Sequence, residues 1–194
     1  FLNLRLGTGA DELSFKILPP RMLKQNDPLN GYPFELVEHY DGVRDMPFLV
    51  DLKVVGSLVV YGDSFRCVIR VIRRLLMDLI VHHSPEDISL VLLANRRNAA
   101  EEWEWLKWAP HTHSFEGGQE SQNLLFTTDR INTFLDDLKR LFIERLESRK
   151  NYHGSDTRGF GQSYVVIFDD ERVRQHEDIR RIAEEGWKVG IYLI

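Results

Sequence analysis

The sequence predicts an α/β domain built on a mostly parallel sheet with helices on both faces. Three observations lead there. From Phe48 to the end of the chain, strand-like apolar runs alternate with helical patterns. One run, Ile88 to Ala94, reads as a continuous apolar strand, the pattern of a strand buried on both faces. Another, ending Val59-Val60-Tyr61, enters Gly62 and a short polar turn before a long helical pattern begins. Strands joined through helices in this way pair in parallel by right-handed crossovers.

Residues 1–47 read as a proline-rich N-terminal appendage packing on a core domain of residues 48–194. Five of the seven prolines fall in this part (Pro19, Pro20, Pro28, Pro33, Pro47), and proline cannot donate to a central sheet ladder. Phe1 to Leu6 alternates as a short strand, with Gly7-Thr8-Gly9 read as a turn and Ser14 to Leu18 as a segment that pairs back. Only Phe34 to Tyr40 leaves room for a turn or two of helix.

In the core domain, Phe48 to Leu52 and Leu58 to Tyr61 read as strands. A helix follows to about His82, with Val68, Val71, Ile72, Leu75, Leu76 and Leu79 at helical spacing. Ser84-Pro85 ends it before the Ile88 strand. A short polar helix is expected near Ala99 to Trp105 and a strand at Asn123 to Thr127. Thr128-Asp129 caps a long helix that carries Ile131, Phe134, Leu135, Leu138, Leu141, Phe142 and Leu146. Gly154, Gly159 and Gly161 mark a loop. A strand at Ser163 to Phe168, a helix at Val173 to Glu185 and a strand at Lys188 to Ile194 complete the pattern.

At 194 residues, with 43% hydrophobic and 28% charged residues, the chain has the composition of a soluble globular domain. A net charge of −5 argues against general attraction to nucleic acid. A single cysteine, Cys67, excludes an internal disulfide. No run reaches the length of a membrane span. The chain opens on Phe1 and closes inside an apolar run, so it reads as a piece of a longer protein, which leaves room for a membrane anchor outside it.

The Gly62 turn invites comparison with the phosphate-binding Walker A loop, which ends Gly-Lys-Ser/Thr after four intervening residues. Counted from Gly62, those three positions hold Cys67, Val68 and Ile69. No ammonium is available for the β- and γ-phosphates, and no hydroxyl for Mg²⁺. Phe65 crowds the turn and Asp63 places a negative charge where phosphate would lie. The complementary Walker B pattern, apolar residues ending in Asp, fits Val165-Val166-Ile167-Phe168-Asp169-Asp170. Strands of this class also end in Asp merely to turn the chain. Two readings of these features stay open: an ordinary strand-to-helix turn, or a P-loop NTPase-like (RecA-like) fold with a degenerate nucleotide site. In the second, Gly62, Cys67, Val68 and Ile69 are the vestigial Walker A positions, and Asp169 and Asp170 the Walker B-like ones. Neither a catalytic residue nor a bound cofactor is expected in this chain.

Arg66, Arg70, Arg73 and Arg74 give the helix after Gly62 a positive face, which is either solvated or docks an acidic partner. Three of the four tryptophans, Trp103, Trp105 and Trp108, lie within six residues and form either a small core under a loop or an interface anchor. These seven residues are the candidate partner contacts. His82-His83 and His111-Thr112-His113 lack metal-ligand spacing, so no metal is expected. No Gly-x-Ser-x-Gly motif or paired nucleophile is present. An active site completed by Lys107 or by a neighbouring chain is the alternative to a silent one.

Four stretches carry a family resemblance. They are Phe1-Leu2-x-Leu4-Arg5-Leu6-Gly7-Thr8-Gly9, Met46-Pro47-Phe48-x-Val50-Asp51-Leu52, His83-Ser84-Pro85-Glu86-Asp87 and Trp103-Glu104-Trp105-Leu106-Lys107-Trp108-x-Pro110-His111. The chain resembles the EccC family of type VII (ESX) secretion systems, in the cytosolic region between the membrane helices and the first FtsK/SpoIIIE-type motor domain. The resemblance implies a degenerate ATPase domain that precedes three further ATPase domains. It implies a place at the cytoplasmic face of the bacterial inner membrane and partners among the membrane-complex components and sister ATPase domains. ATP and Mg²⁺ would belong to those neighbouring domains. The resemblance carries no catalytic residue to this chain, and Asp170 stands where the family pattern has Glu. A passive substrate-recognition module is a third reading, with a groove expected at the carboxyl edge of the sheet.

Overall fold

A computed structural model describes residues 2–12, 18–19, 28–40, 42–97, 99–116, 119–151, 160–169 and 177–194. The chain divides into two units, Arg5–Leu49 and a larger one made of Phe1–Leu4 with Val50–Ile194.

Strands β1 (Asn3–Glu12) and β2 (Gly42–Asp51) pair as a two-stranded sheet. Gly7-Thr8-Gly9 therefore lies inside a strand and not at a turn. Helix α1 (Tyr32–His39) starts with Pro33 in its first turn, where the missing N–H is harmless, and buries no residue. Of the expected Ser14 to Leu18 strand, all but Leu18 lies outside the described residues.

In the larger unit the sheet is fully parallel, with strand order β6-β3-β7-β8: β3 Ile88–Ala94, β6 Leu124–Leu125, β7 Ser163–Asp169 and β8 Ile191–Leu193. All seven β3 residues are buried, as the apolar run requires. Val91, Leu93, Val166, Ile191 and Leu193 point to one face. There they pack with Ile131, Leu135, Leu138 and Phe142 of α5 (Thr128–Asn151) and with Ile179 and Ile182 of α6 (Glu177–Glu185). The alternate residues Leu90, Leu92, Val165, Ile167 and Tyr192 are equally buried. Helix α3 (Phe65–His82) contributes a further buried stripe, Ile69, Ile72, Leu75, Leu76 and Leu79. Of the helix expected at Val173 to Glu185, residues 173–176 lie outside the described residues, as do Gly154 and Gly159.

One expected strand is absent. After β2 the chain makes a single helical turn, α2 (Leu52–Val55), capped by Asp51, which accepts from the Lys53 N–H at 2.8 Å. Gly56 ends it at φ 78°, and a Cβ there would stand 2.9 Å from Trp187 Cδ1. Residues 58–64 are not a strand. Leu58 donates its N–H to Leu193 O at 2.9 Å, and then the segment leaves the edge of β8. Val59 and Tyr61 are 73% and 91% exposed. An apolar run forms a strand only where its backbone finds a ladder, and this one finds a single rung. The run before β8 is also shorter than expected: 186–189 form a 3-10 turn and Gly190 is left-handed, at φ 74°.

The tryptophan segment continues from α4 (Ala99–Trp103) as 3-10 turns at Glu104–Trp108 and Pro110–Thr112. A small antiparallel hairpin follows, β4 (His113–Glu116) with β5 (Gln119–Gln122). Its residues are too polar to show an apolar alternation.

Candidate functional site

At the carboxyl edge of the parallel sheet stands the Walker B-like position, Asp169. β3 and β7 end in register, Ala94 opposite Asp169, so the residues just after β3 stand beside the Asp169 carboxylate. Arg96 is the second of them. Its Nε donates to Asp169 Oδ1 at 3.2 Å and its Nη2 to Oδ2 at 2.9 Å, a two-pronged pair; Nη2 also reaches Glu102 Oε2. Trp103 adds a third donor, with Nε1 at 2.7 Å from Asp169 Oδ2. The Asp169 side chain is 9% exposed. The bond to Asp169 is the main cause that raises the Arg96 guanidinium above its ordinary pKa, with Glu102 adding to it and desolvation opposing.

The other wall of this cluster comes from the Gly62 turn. The Phe65 ring, first in α3, lies under the Arg96 guanidinium, whose Cζ is 4.0 Å from the ring centroid. The turn itself lacks the shape that cradles phosphate. A phosphate nest needs successive N–H groups in alternating right- and left-handed backbone. Among the described residues, positive φ occurs only at Asp45, Gly56, Gly161 and Gly190. The Cys67 and Val68 N–H groups both donate to Ser64 O, at 2.9 and 3.2 Å. Ile69, at the position of the Walker hydroxyl, is 6% exposed and belongs to the core. The strand–turn–helix frame expected around Gly62 is thus a coil–turn–helix. Asp170 lies outside the described residues.

The other candidate residues separate. Arg66, Arg70 and Arg74 are exposed on α3, whereas Arg73 turns inward and donates from Nη2 to Glu102 O. Trp103 is fully buried and so leaves the expected contact surface, a consequence of its bond to Asp169. Trp108 is 80% exposed and Trp105 half-buried. Lys107, the candidate to complete an active site, pairs with Glu104 at 2.5 Å and holds that carboxylate below its usual range. His111 Nε2 lies 2.9 Å from His83 O and His113 Nε2 3.0 Å from Lys107 O, which gives these rings backbone partners. Among the described residues no cluster of His, Cys, Asp or Glu could hold a metal ion, and no helix is long and apolar enough to cross a membrane.

Sequence reasoning missed Arg96 and Glu102. The available signal was Asn95-Arg96-Arg97 at the end of one buried strand and Asp169 at the end of another. Only the β3–β7 register makes it readable.

No family model matches the chain. It is 28% identical over 131 residues to the ESX secretion system protein EccC of Thermomonospora curvata, which covers 66% of this chain and 10% of that protein. It is 30% identical over 116 residues to the ESX-4 secretion system protein EccC4 of Mycobacterium tuberculosis, covering 57% and 9%. The chain thus spans about a tenth of the length of these curated relatives. Among solved structures, the cytoplasmic domain of the T. curvata type VII secretion ATPase EccC matches with a TM-score of 0.52 and 16% identity, over 77% of this chain and 17% of that one. ATPases 2 and 3 of T. curvata EccC, in complex with a signal sequence peptide, also match at 0.52, with 13% identity over 77% of this chain and 26% of that one. At such identities the structural likeness speaks for the fold alone, and that fold is the P-loop ATPase-like one expected from the sequence.

Proposed function

Taking as premise that the chain is a domain of the EccC family of type VII secretion proteins, we propose that it is a non-catalytic, ATPase-like module. Its role is to couple the membrane complex to the downstream ATPase domains during protein export. Its partners are the other membrane-complex components and the sister ATPase domains. Its place is the cytoplasmic face of the bacterial inner membrane, held there by the rest of the chain. ATP and Mg²⁺ belong to the neighbouring domains.

The observation that carries this reading is the occupancy of Asp169. A Walker B carboxylate serves by holding Mg²⁺ through water, which requires free lone pairs aimed at the phosphate cradle. Here both oxygens accept from Arg96, and Trp103 adds a bond to one of them. The guanidinium stands between the carboxylate and Phe65, where the cation and phosphates would have to enter. Displacing it would break a two-pronged ion pair at a nearly buried carboxylate, at a cost of about 2–3 kcal/mol. A turn without a nest offers little to repay that.

Titration of the 194-residue chain with Mg-ATP in a calorimeter tests the reading. The expected result is no saturable heat; micromolar binding overturns it. A phosphate-release assay separates the active alternative, which requires turnover that disappears on Asp169→Asn.

A further inference from the structure

We infer that the parallel sheet is left open for one more stretch of strand, in a slot between the end of β7 and residues 58–61. The occupant is the in-line continuation of β8: the few residues that follow Ile194 in a chain as long as the EccC proteins, of which these residues span about a tenth. By filling the slot it makes Leu58 to Tyr61 the outer strand of the sheet.

Two ladders lead into the slot and stop at the same level. On the inner side, β7 pairs with β3 up to its last residue, Asp169 opposite Ala94. Its pairing with β8 goes no further than Phe168 N–H to Ile194 O, at 2.9 Å. Parallel ladders alternate donor and acceptor, so the next rung brings an N–H from the second residue after Ile194 to Phe168 O. On the outer side, Leu58 N–H reaches Leu193 O at 2.9 Å. The chain runs there in the direction of β8, from Gly56 beside Trp187 to Leu58 at Leu193, and on to Phe65 under Arg96. The alternation then asks for an N–H from the first residue after Ile194 on Leu58 O, and offers Val60 N–H to the carbonyl of that residue. No backbone hydrogen bond between described residues uses Leu58 O or Val60 N–H.

The side chains are set for the same pairing. Leu58 and Val60 are half-buried, whereas Val59 and Tyr61 are 73% and 91% exposed, the two-residue period of extended chain. The Leu58 rung pairs Leu58 with Ile194, so Val59 falls on the face where Leu193 packs with α5 and α6. Phe168 packs against that cluster too. The first residue after Ile194 therefore stands between Phe168 and Val59, and an apolar side chain fits there. A strand from another molecule would have to begin one peptide unit, about 3.8 Å, beyond Ile194. The covalent continuation of β8 meets no such restriction.

The inference rests on the chain being part of a longer protein, as in the proposed function, and is independent of the nucleotide site. Micromolar Mg-ATP binding would overturn that reading and leave the strand in place.

Hydrogen exchange followed by mass spectrometry tests it, by comparing residues 58–64 in the full-length protein and in the 194-residue chain. Exchange of this segment is expected to slow at least about tenfold in the full-length protein, the equivalent of one net hydrogen bond. Val60→Pro removes an N–H that only the slot would use. It should cancel that protection, and it should leave the melting temperature of the 194-residue chain unchanged. Replacing the three residues after Ile194 by glycine in the full-length protein should also restore fast exchange. Equal exchange in the two proteins overturns the inference, as does protection that survives both changes. So does slow exchange in the 194-residue chain that grows with its concentration, which would show a second copy pairing at this edge.

Discussion

Arg96 and Asp169 meet at the ends of two adjacent parallel strands, with Nε 3.2 Å from Oδ1 and Nη2 2.9 Å from Oδ2. The pair joins three parts of the sequence: the residue after β3, the end of β7, and, through Trp103 and Glu102, the tryptophan segment. In an active nucleotide site a carboxylate in this place serves a ligand. In the proposed reading it serves the fold.

That role has a thermodynamic signature. Arg96→Met and Asp169→Asn are each expected to destabilise the chain by about 2–3 kcal/mol, because each leaves a desolvated partner behind. The double variant should lose less than the sum, with a coupling energy of about 2 kcal/mol in a urea-unfolding cycle. Coupling near zero would show that the contact is incidental. The same Asp169→Asn chain should show background phosphate release unchanged from that of the unmodified chain.

Restoring the Walker A residues should not restore the site. Cys67→Gly, Val68→Lys and Ile69→Thr together rebuild the motif, but they act on a turn with no left-handed residue to aim its N–H groups. Ile69 is a core residue, so its threonine replacement buries a hydroxyl and should cost about 1–3 kcal/mol. The expected outcome is a less stable chain that still gives no calorimetric signal with Mg-ATP. Micromolar binding by this variant would show that the turn can still become a nest.

Much of the fold was legible because burial writes itself into residue type. Ile88 to Ala94 and the α3 stripe had one physical solution each, a strand covered on both faces and an amphipathic helix. Leu58 to Tyr61 was misread because apolarity reports a preference for burial, whereas a strand also needs a neighbouring ladder, and only Leu58 finds one. The site was half legible. Asp169 and the missing Walker residues stood in the sequence, but Arg96 gains its meaning from strand register, which a local pattern does not contain. The tryptophans were grouped by spacing and the structure divides them, with Trp103 inside as a donor and Trp108 outside.

Arg145 is a buried cation, and its role differs from that of Arg96. Among the described residues it has no carboxylate partner. Its guanidinium donates to Val189 O at 2.9 Å, Gln162 O at 2.8 Å and Phe160 O at 3.2 Å, and so ties α5 to the turns that precede β7 and β8. Burial pulls its pKa below the ordinary arginine value. Arg145→Met should cost about 3 kcal/mol by leaving these carbonyls without a donor. Arg145→Lys should recover only part, since an ammonium cannot span the three acceptors. Thermal unfolding of the two variants ranks them; equal melting temperatures for lysine and methionine would show that packing alone matters there.

Tyr192 supplies a pH-dependent test of the core. Its side chain is fully buried in β8, and its hydroxyl has no hydrogen-bond partner among the described residues. Burial, with the negative charge of Asp51 adding, pushes the phenol up to about 12 from an ordinary 10.0. Between those two values the unfolded chain has released this proton while the folded chain keeps it. Stability therefore falls as pH rises through that window, by up to about 3 kcal/mol, and is intact below it. Tyr192→Phe removes the titrating group and an unsatisfied hydroxyl together. Near neutral pH this variant should be as stable as the parent or slightly more so. Urea unfolding at about pH 9 and about pH 11.5 should then show a smaller alkaline loss in the phenylalanine variant than in the parent. An identical loss in both would mean that this phenol does not titrate differently in the folded and unfolded chains.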